Sequence, residues 1–331
     1  MICVQTGSRL HFGLLSLPPD DNQAARCFGG VGLMVERPGV RLAISPASDW
    51  SADGRLAERA LSLARRFSAT LPADCAVPQR ISVEWCAPEH AGLGTGTQLG
   101  LAVARALAAA HGLAHLDGAE LARRVGRGTR SAIGVHGFSL GGFLVDGGRT
   151  TADQLAPLVA RIAFPDAWRL VLVVPRGTEG VHGNQESQIF EMLRRSGLPA
   201  AATEALCRLV LLGMLPALAE SDLAGFSEAL SDFNTRAGEA FAVAQGGIYA
   251  SPRVAEVVAF IRKLGVRGVG QSSWGPTVFA IVENTERAEQ LAQRVRAQFG
   301  LSNDEVVVTA ARNQGAIFED AEPQAATRQP G

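Results

Sequence analysis

The chain has 331 residues, is 47% hydrophobic and 19% charged, and carries a formal net charge of −1. That apolar content is enough to build a core in one large or two medium domains. The near-neutral balance, the single tyrosine (Tyr249) and the lack of any basic run interleaved with aromatics argue against a nucleic-acid partner.

The opening "MICVQTGSRLHFGLLSL" is not a charged region followed by an apolar block. No apolar run reaches the roughly 18 residues of a membrane helix. A cytoplasmic protein without a membrane partner is therefore expected. Cys3, Cys27, Cys75, Cys86 and Cys207 are scattered without a C-x-x-C pair, which suits free thiols rather than a zinc site. Lys263 is the only lysine among 31 basic residues. A Walker-type loop, which needs its lysine beside the glycines, is absent. Any cation that meets a bound oxyanion is then expected to be arginine.

Residues 2–17 read as extended. Within them "SRLHFG" (8–13) alternates, so Arg9 and His11 share one face and Leu10 and Phe12 the other. This is either a solvated strand face or a cation beside a titratable group. "VGLMVERPGVRLAIS" (31–45) predicts a hairpin about Pro38 and Gly39. "GRLAERALSLARRF" (54–67) has helical spacing, with Leu56, Ala60, Leu61, Ala64 and Phe67 on one face. "RISVEWCAPEH" is a strand leading into "GLGTGTQLG" (92–100). The following "TQLGLAVARALAAAHGL" is a helix apolar nearly all round, expected to be buried and stopped by Gly112.

That loop has the character of a phosphate cradle. Gly92, Gly94 and Gly96 let the backbone approach an anion, and the first N–H groups of a helix have no internal partners. The helix dipole adds positive character there. Thr95 and Thr97 offer hydroxyls, with Gln98 next in line. The other reading is a strand-to-helix turn that binds nothing.

Asp117 with Glu120 resembles a capping box. His111 and His115 are four apart, but Gly112 interrupts them and no third ligand is near, so no metal ligands are assigned. "GRGTRSAIGVHGFSLGG" (126–142) sets Arg127, Arg130, Ser131 and His136 among glycines, as a site loop or a connector. "GFSLGGFLVDGGR" reads as a hairpin with a glycine bend. A break near 150–166 precedes the apolar strand "WRLVLVVP" and marks a domain boundary. "PRGTEGVHGNQESQIF" (175–190) carries Arg176, His182 and Asn184, the last also readable as a helix cap. Helices are predicted near 184–195, 201–218, 222–244, 252–264 and 285–299, with strands at 276–282 and 304–310. "GVGQSSWGPTVFAIV" (268–282) places Ser272, Ser273 and Trp274 in a tight turn, where Trp274 stacks on an aromatic ligand or plugs the core. This order predicts two α+β domains, 1–165 and 166–318, with a cleft between them and a disordered tail at 319–331.

The order of an Arg-bearing first strand, "GLGTGTQLGLAVA" and a late "GVGQSSWGPTVFAIV" resembles the GHMP kinase superfamily over residues 1 to about 318. The resemblance implies an N-terminal α+β domain, a ferredoxin-like C-terminal domain and phosphates on the central glycine loop. Where many GHMP kinases place an Asp, "SAIGVHGF" offers His136, and the third motif holds Trp274 and Pro276. Within the superfamily, "SRLHFGLLSL", "FGGVGLMVERP", "GTRSAIGVHGFSLGGFLVDGG", "GVHGNQESQIF" and "GQSSWGPTVFAIV" are similar to the β-ribofuranosylaminobenzene 5′-phosphate synthase family.

That resemblance implies a pentosyltransferase joining phosphoribosyl pyrophosphate to 4-aminobenzoate or 4-hydroxybenzoate, with loss of CO2 and pyrophosphate, early in tetrahydromethanopterin synthesis. Mg2+ is expected with the polyphosphate substrate, and no redox cofactor. A homodimer is the family expectation. On this reading the phosphate set is Gly92, Gly94, Thr95, Gly96, Thr97, Gln98, Arg130 and Ser131. Arg9, His11 and His136 form the catalytic set, and His182, Ser272, Ser273 and Trp274 meet the aromatic substrate. An ATP-dependent small-molecule kinase is the alternative.

Overall fold

A computed structural model describes residues 1–17, 26–72, 76–151, 153–176, 180, 183, 188–189, 191–193 and 197–320. The chain opens with β1 (Ile2–Ser16) and β2 (Phe28–Pro46), which pair antiparallel along most of their length. Next come β3 (Ser51–Gly54), α1 (Ala57–Ser68), β4 (Gln79–Cys86) and α2 (Thr95–Ala110). After α3 (Gly118–Arg124) and α4 (Ile133–Leu140), β5 (Phe143–Asp146) and β6 (Leu158–Ile162) complete this half of the chain. Asp117 caps α3 by accepting from the Glu120 N–H at 2.8 Å.

The second half runs β7 (Arg169–Val173), α5 (Ala200–Glu220), α6 (Leu223–Gln245) and α7 (Pro252–Lys263). Then follow β8 (Val269–Gln271), β9 (Val278–Val282), α8 (Thr285–Phe299), β10 (Val306–Thr309) and β11 (Ile317–Asp320). Strands β7 to β10 form an antiparallel sheet in the order β10-β7-β9-β8. Counted within that unit the order is 4-1-3-2, the ferredoxin-like arrangement. Helices α7 and α8 cover one face of it through Val254, Val257, Ile261, Leu291 and Val295.

Three predicted features come out differently. Pro38 and Gly39 do not turn a hairpin, because β2 runs through them. Between Thr6 opposite Val40 and Ser8 opposite Val35, β2 uses more residues than β1, and the excess forms an irregularity. "GFSLGGFLVDGGR" is not a hairpin either, since Gly137–Leu140 end α4 and only Phe143–Asp146 is strand. Finally, β11 returns to the first sheet and pairs with β1, Ile2 opposite Asp320 and Gln5 opposite Ile317. Residues 317–320 therefore belong with the N-terminal sheet, and Glu319 and Asp320 are strand rather than tail. The passage from the first sheet to the second falls between Ile162 and Arg169.

The two halves share a core. On one side of the first sheet, Val4, Leu42 and Ile81 pack against α1 to α4. On the other side, Leu10, Phe12, Leu33 and Phe143 meet Phe226, Leu230, Phe233 and Phe279 of the second half. Phe12 lies 4.9 Å from Phe279 and 6.3 Å from Phe143, centroid to centroid. Helix α5 is long and apolar enough by length and composition to cross a membrane, but Leu206, Val210, Met214, Ala217 and Leu218 turn one stripe into this core.

Because Phe12 is shared, Phe12→Ala is expected to cost about 3–5 kcal/mol. Both halves should then melt together at a lower temperature in calorimetry. Two separated transitions in the wild type would contradict a common core.

Candidate active site

Between the halves lies a cavity of ≈ 920 Å³. Its floor is the glycine loop. Gly94 is the N-cap of α2 at φ +69°, a left-handed conformation that suits glycine, and it turns β4's exit into the helix. Helix α2 is buried along its length, so its N-terminal N–H groups are fixed in place at the cavity wall.

Ser272 holds three motifs in register. Its hydroxyl accepts from the His11 N–H at 3.0 Å and donates to the Gly92 carbonyl at 2.7 Å. The Ser273 N–H donates to the His11 carbonyl at 2.8 Å, and the Arg9 N–H to the Leu93 carbonyl at 2.9 Å. Asn234 of α6 adds a second clamp, donating to the carbonyls of Phe12 and Gln271 and accepting from the Gln271 N–H. The junction is thus tied by side-chain and backbone hydrogen bonds, several of which cross between the halves.

Five arginines line it: Arg9, Arg59, Arg66, Arg127 and Arg130. No carboxylate lines it among the described residues. The far wall is less polar, with Ala237, Phe241, Ile248 and Trp274. Trp274 is mostly buried, edge-on to Phe241 at 4.9 Å, and is among the residues that line the cavity. It is therefore both a plug and a wall.

His11 is buried rather than solvated, and its Nε2 lies 3.2 Å from Ser131 Oγ. Ser131 Oγ donates to Asp146 Oδ2 at 3.1 Å. Asp146, fully buried, also accepts from the N–H groups of Ala132 and Gly148. The three side chains crowd Gly30, where a Cβ would stand 2.9 Å from both His11 Nε2 and Ser131 Oγ and 3.1 Å from Asp146 Oδ2. Ser131 has one hydroxyl proton and gives it to Asp146. It therefore accepts from His11, which assigns the proton to Nε2 and leaves Nδ1 as the basic nitrogen. Burial, reinforced by Arg9, holds the His11 pKa well below the usual histidine value. Burial pushes Asp146 up, against the pull of its three hydrogen bonds.

The residues expected from sequence divide as follows. Arg9, His11, Gly92, Gly94, Thr95, Gly96, Thr97, Arg130, Ser131, Ser273 and Trp274 all line the cavity. Gln98 does not. It is buried, accepting from Thr6 Oγ1 and donating to the Gly134 carbonyl, so its amide is used in packing α2. Ser272 is fully buried behind the wall, and its hydroxyl is spent on backbone groups rather than facing the cavity. His136 also lies outside the lining: it sits on α4 with Nε2 2.8 Å from the Ala156 carbonyl. No residue of that short helix lines the cavity. His182 and Asn184 lie outside the described residues. Sequence reasoning missed Asp146, Asn234, Arg59 and Arg66.

Residues 55–142 match the GHMP kinases N terminal domain and 214–301 the GHMP kinases C terminal domain. The β-ribofuranosylphenol 5′-phosphate synthase of Methanothermobacter thermautotrophicus is 30% identical, over 96% of this chain and 98% of its own. The protein of the same name from Archaeoglobus fulgidus is 32% identical, over 96% and 100%. Among solved structures, homoserine kinase from Cytophaga hutchinsonii superposes with a TM-score of 0.68 at 16% identity, covering 96% of this chain and 97% of that one. Mevalonate diphosphate decarboxylase from Staphylococcus aureus gives 0.63 at 14%, covering 97% and 99%. The structural likenesses speak to the fold.

A buried neutral histidine has a measurable signature. The unfolded chain takes up the proton near pH 6.5 while folded His11 refuses it, so stability falls as pH drops below about 6.5. Denaturant titrations between pH 7 and 5 should show a loss of up to about 1.4 kcal/mol per pH unit that is missing in His11→Gln. Equal slopes in the two proteins would contradict the neutral assignment.

Proposed function

The chain belongs to the β-ribofuranosylphenol 5′-phosphate synthase family of the GHMP superfamily, and from that premise we propose its reaction. Phosphoribosyl pyrophosphate and a para-substituted benzoate condense to a C-riboside 5′-phosphate, releasing CO2 and pyrophosphate. The relatives' name points to 4-hydroxybenzoate ahead of 4-aminobenzoate. The observation that carries the reading is the cavity itself: five arginines and a helix N-terminus, without a lining carboxylate among the described residues, facing an aromatic wall. Such a wall suits a polyanionic donor and a benzoate. Nothing specific in the cavity favours the kinase alternative.

The bonds balance without an oxidant or reductant. The ribose C1–oxygen bond breaks and pyrophosphate leaves with the electron pair. The ring carbon bearing the carboxylate forms the new C–C bond with ring electrons. The carbon–carboxylate bond then breaks, its pair returns to the ring, and CO2 departs. The glycine loop stabilises charge as it builds on the pyrophosphate. Arg9, whose side chain lies against Gly94, adds a cation beside that loop. His11 Nδ1 keeps its lone pair and is suited to accept a hydrogen bond from the para hydroxyl, raising electron density at the attacking carbon. Asp146 and Ser131 keep His11 in that tautomer.

Mg2+ enters this proposal only as a companion of the donor's phosphates. The described lining of arginine, glycine and hydroxyl suits the anion rather than the cation, and no step is routed through the metal.

We also propose pairing with a second copy of the chain. The family resemblance supports it, as do Leu211 and Leu212, 65% and 66% exposed on α5. Sedimentation should give a dimer that Leu211→Glu with Leu212→Glu splits into monomers. A monomeric wild type would refute the pairing.

Incubation with Mg2+, phosphoribosyl pyrophosphate and carboxyl-labelled 4-hydroxybenzoate or 4-aminobenzoate should release labelled CO2 and pyrophosphate. Gly96→Val, which forces a side chain into the Arg59 guanidinium, should lower that rate at least about 100-fold. No label released from either benzoate, with ADP formed from ATP and an alcohol, would overturn the proposal.

A further inference from the structure

The glycine loop answers for one anionic group, yet positive charge extends well past it. Arg59 and Arg66 are seven residues apart on α1, two turns along one stripe. The neighbouring stripe of Ala60, Leu63, Ala64 and Phe67 is buried in the core, which fixes the direction in which the two arginines leave the helix; Arg59 is half-buried there and Arg66 is exposed. Arg127 comes from the loop after α3. A Cβ placed on Gly96 would stand 2.5 Å from Arg59 Nη2 and 3.7 Å from Arg127 Nη2. A Cβ on Gly126 would collide with the Arg66 guanidinium. Three guanidinium groups therefore gather beside the end of the cavity floor.

Their charge is poorly compensated from within. Arg59 pairs with Glu89. Neither Arg66 nor Arg127 makes an ion pair among the described residues, and Arg127 Nε is buried without a hydrogen-bond acceptor. Burial, then the positive charges of Arg59 and Arg66, lower the Arg127 pKa. Like charges held together in a partly desolvated wall repel one another. The fold keeps them there, and a multiply charged anion is the partner that relieves the repulsion.

We propose that Arg59, Arg66 and Arg127 form a second anion subsite, distinct from the glycine loop, that takes the phosphomonoester at the 5′ end of the ribosyl donor. The inference rests on the reaction proposed above. The reacting carbon of the donor bears the pyrophosphate and must face the benzoate, whose aromatic wall is built by Phe241 and Trp274 of the second half. The arginine triad stands on elements of the first half, against Gly96 and Gly126. It suits the end of the donor that does not react. Binding energy from that remote phosphate is available to orient the ribose before the leaving group departs.

The test uses the full chain with ribose 5-phosphate and inorganic pyrophosphate as separate calorimetric probes. In Arg66→Gln and Arg127→Gln, affinity for ribose 5-phosphate should fall about tenfold or more, and that for pyrophosphate less than about threefold. The melting temperatures of the ligand-free variants should hold or rise, since repulsion has been removed, which separates lost binding from lost folding. Equal losses for both probes, unchanged ribose 5-phosphate binding in the variants, or no binding of it to the wild type would overturn the subsite. Should the wild type turn over neither benzoate, the reaction itself fails, while the two titrations still decide whether a phosphomonoester site exists.

Discussion

The Ser272 hydroxyl is the point on which the site's geometry depends. One oxygen joins the His11 amide of β1 to the Gly92 carbonyl of the phosphate loop, from a turn in the other half of the chain. The hydroxyl is fully buried, where an unmade partner is costly. Shifting that turn would therefore disturb the strand carrying Arg9 and His11 and the loop at α2 together. Asn234 braces the same junction from α6. The cavity is consequently a property of the junction between halves, and the shared core around Phe12 keeps the junction from hinging open freely.

Electrostatics explain what such a rigid junction is for. Arginines beside arginines, an imidazole kept neutral and a carboxylate withdrawn behind a serine all work against stability in the empty protein. The clustered arginines become favourable when an anion occupies the space. Fixed cations and fixed N–H groups need no rearrangement as negative charge moves onto a leaving group, which is where preorganisation has most value.

Much of this could be read from residues alone, for local reasons. The alternation in "SRLHFG" puts Arg9 and His11 on one face whatever the partner strand is. The small-residue helix after "GLGTGT" requires burial, and burial fixes the loop. Other features needed the third dimension. Pro38 and Gly39 look like a turn, but the pairing with β1 carries β2 straight through them. His136 sits among glycines in sequence, yet the helix periodicity of α4 directs it to the Ala156 carbonyl. Asp146 ends an apolar strand, where nothing local shows that it will meet Ser131. Arg59 and Arg66 look like the ordinary solvated stripe of an amphipathic helix, and only the approach of Gly96 and Gly126 distinguishes them.

The return of β11 to β1 has a consequence for how the chain is made. During synthesis β1 emerges ahead of the other described strands, and its outer edge at Ile2–Gln5 stays uncovered until Ile317–Asp320 leave the ribosome. An unpaired edge of that kind is a template for pairing with other chains. Every other described strand is made before β1 has both neighbours, which makes the fold rich in distant contacts and slow to close. The strand that carries Arg9 and His11 is thus among the first to be made and among the last to be secured.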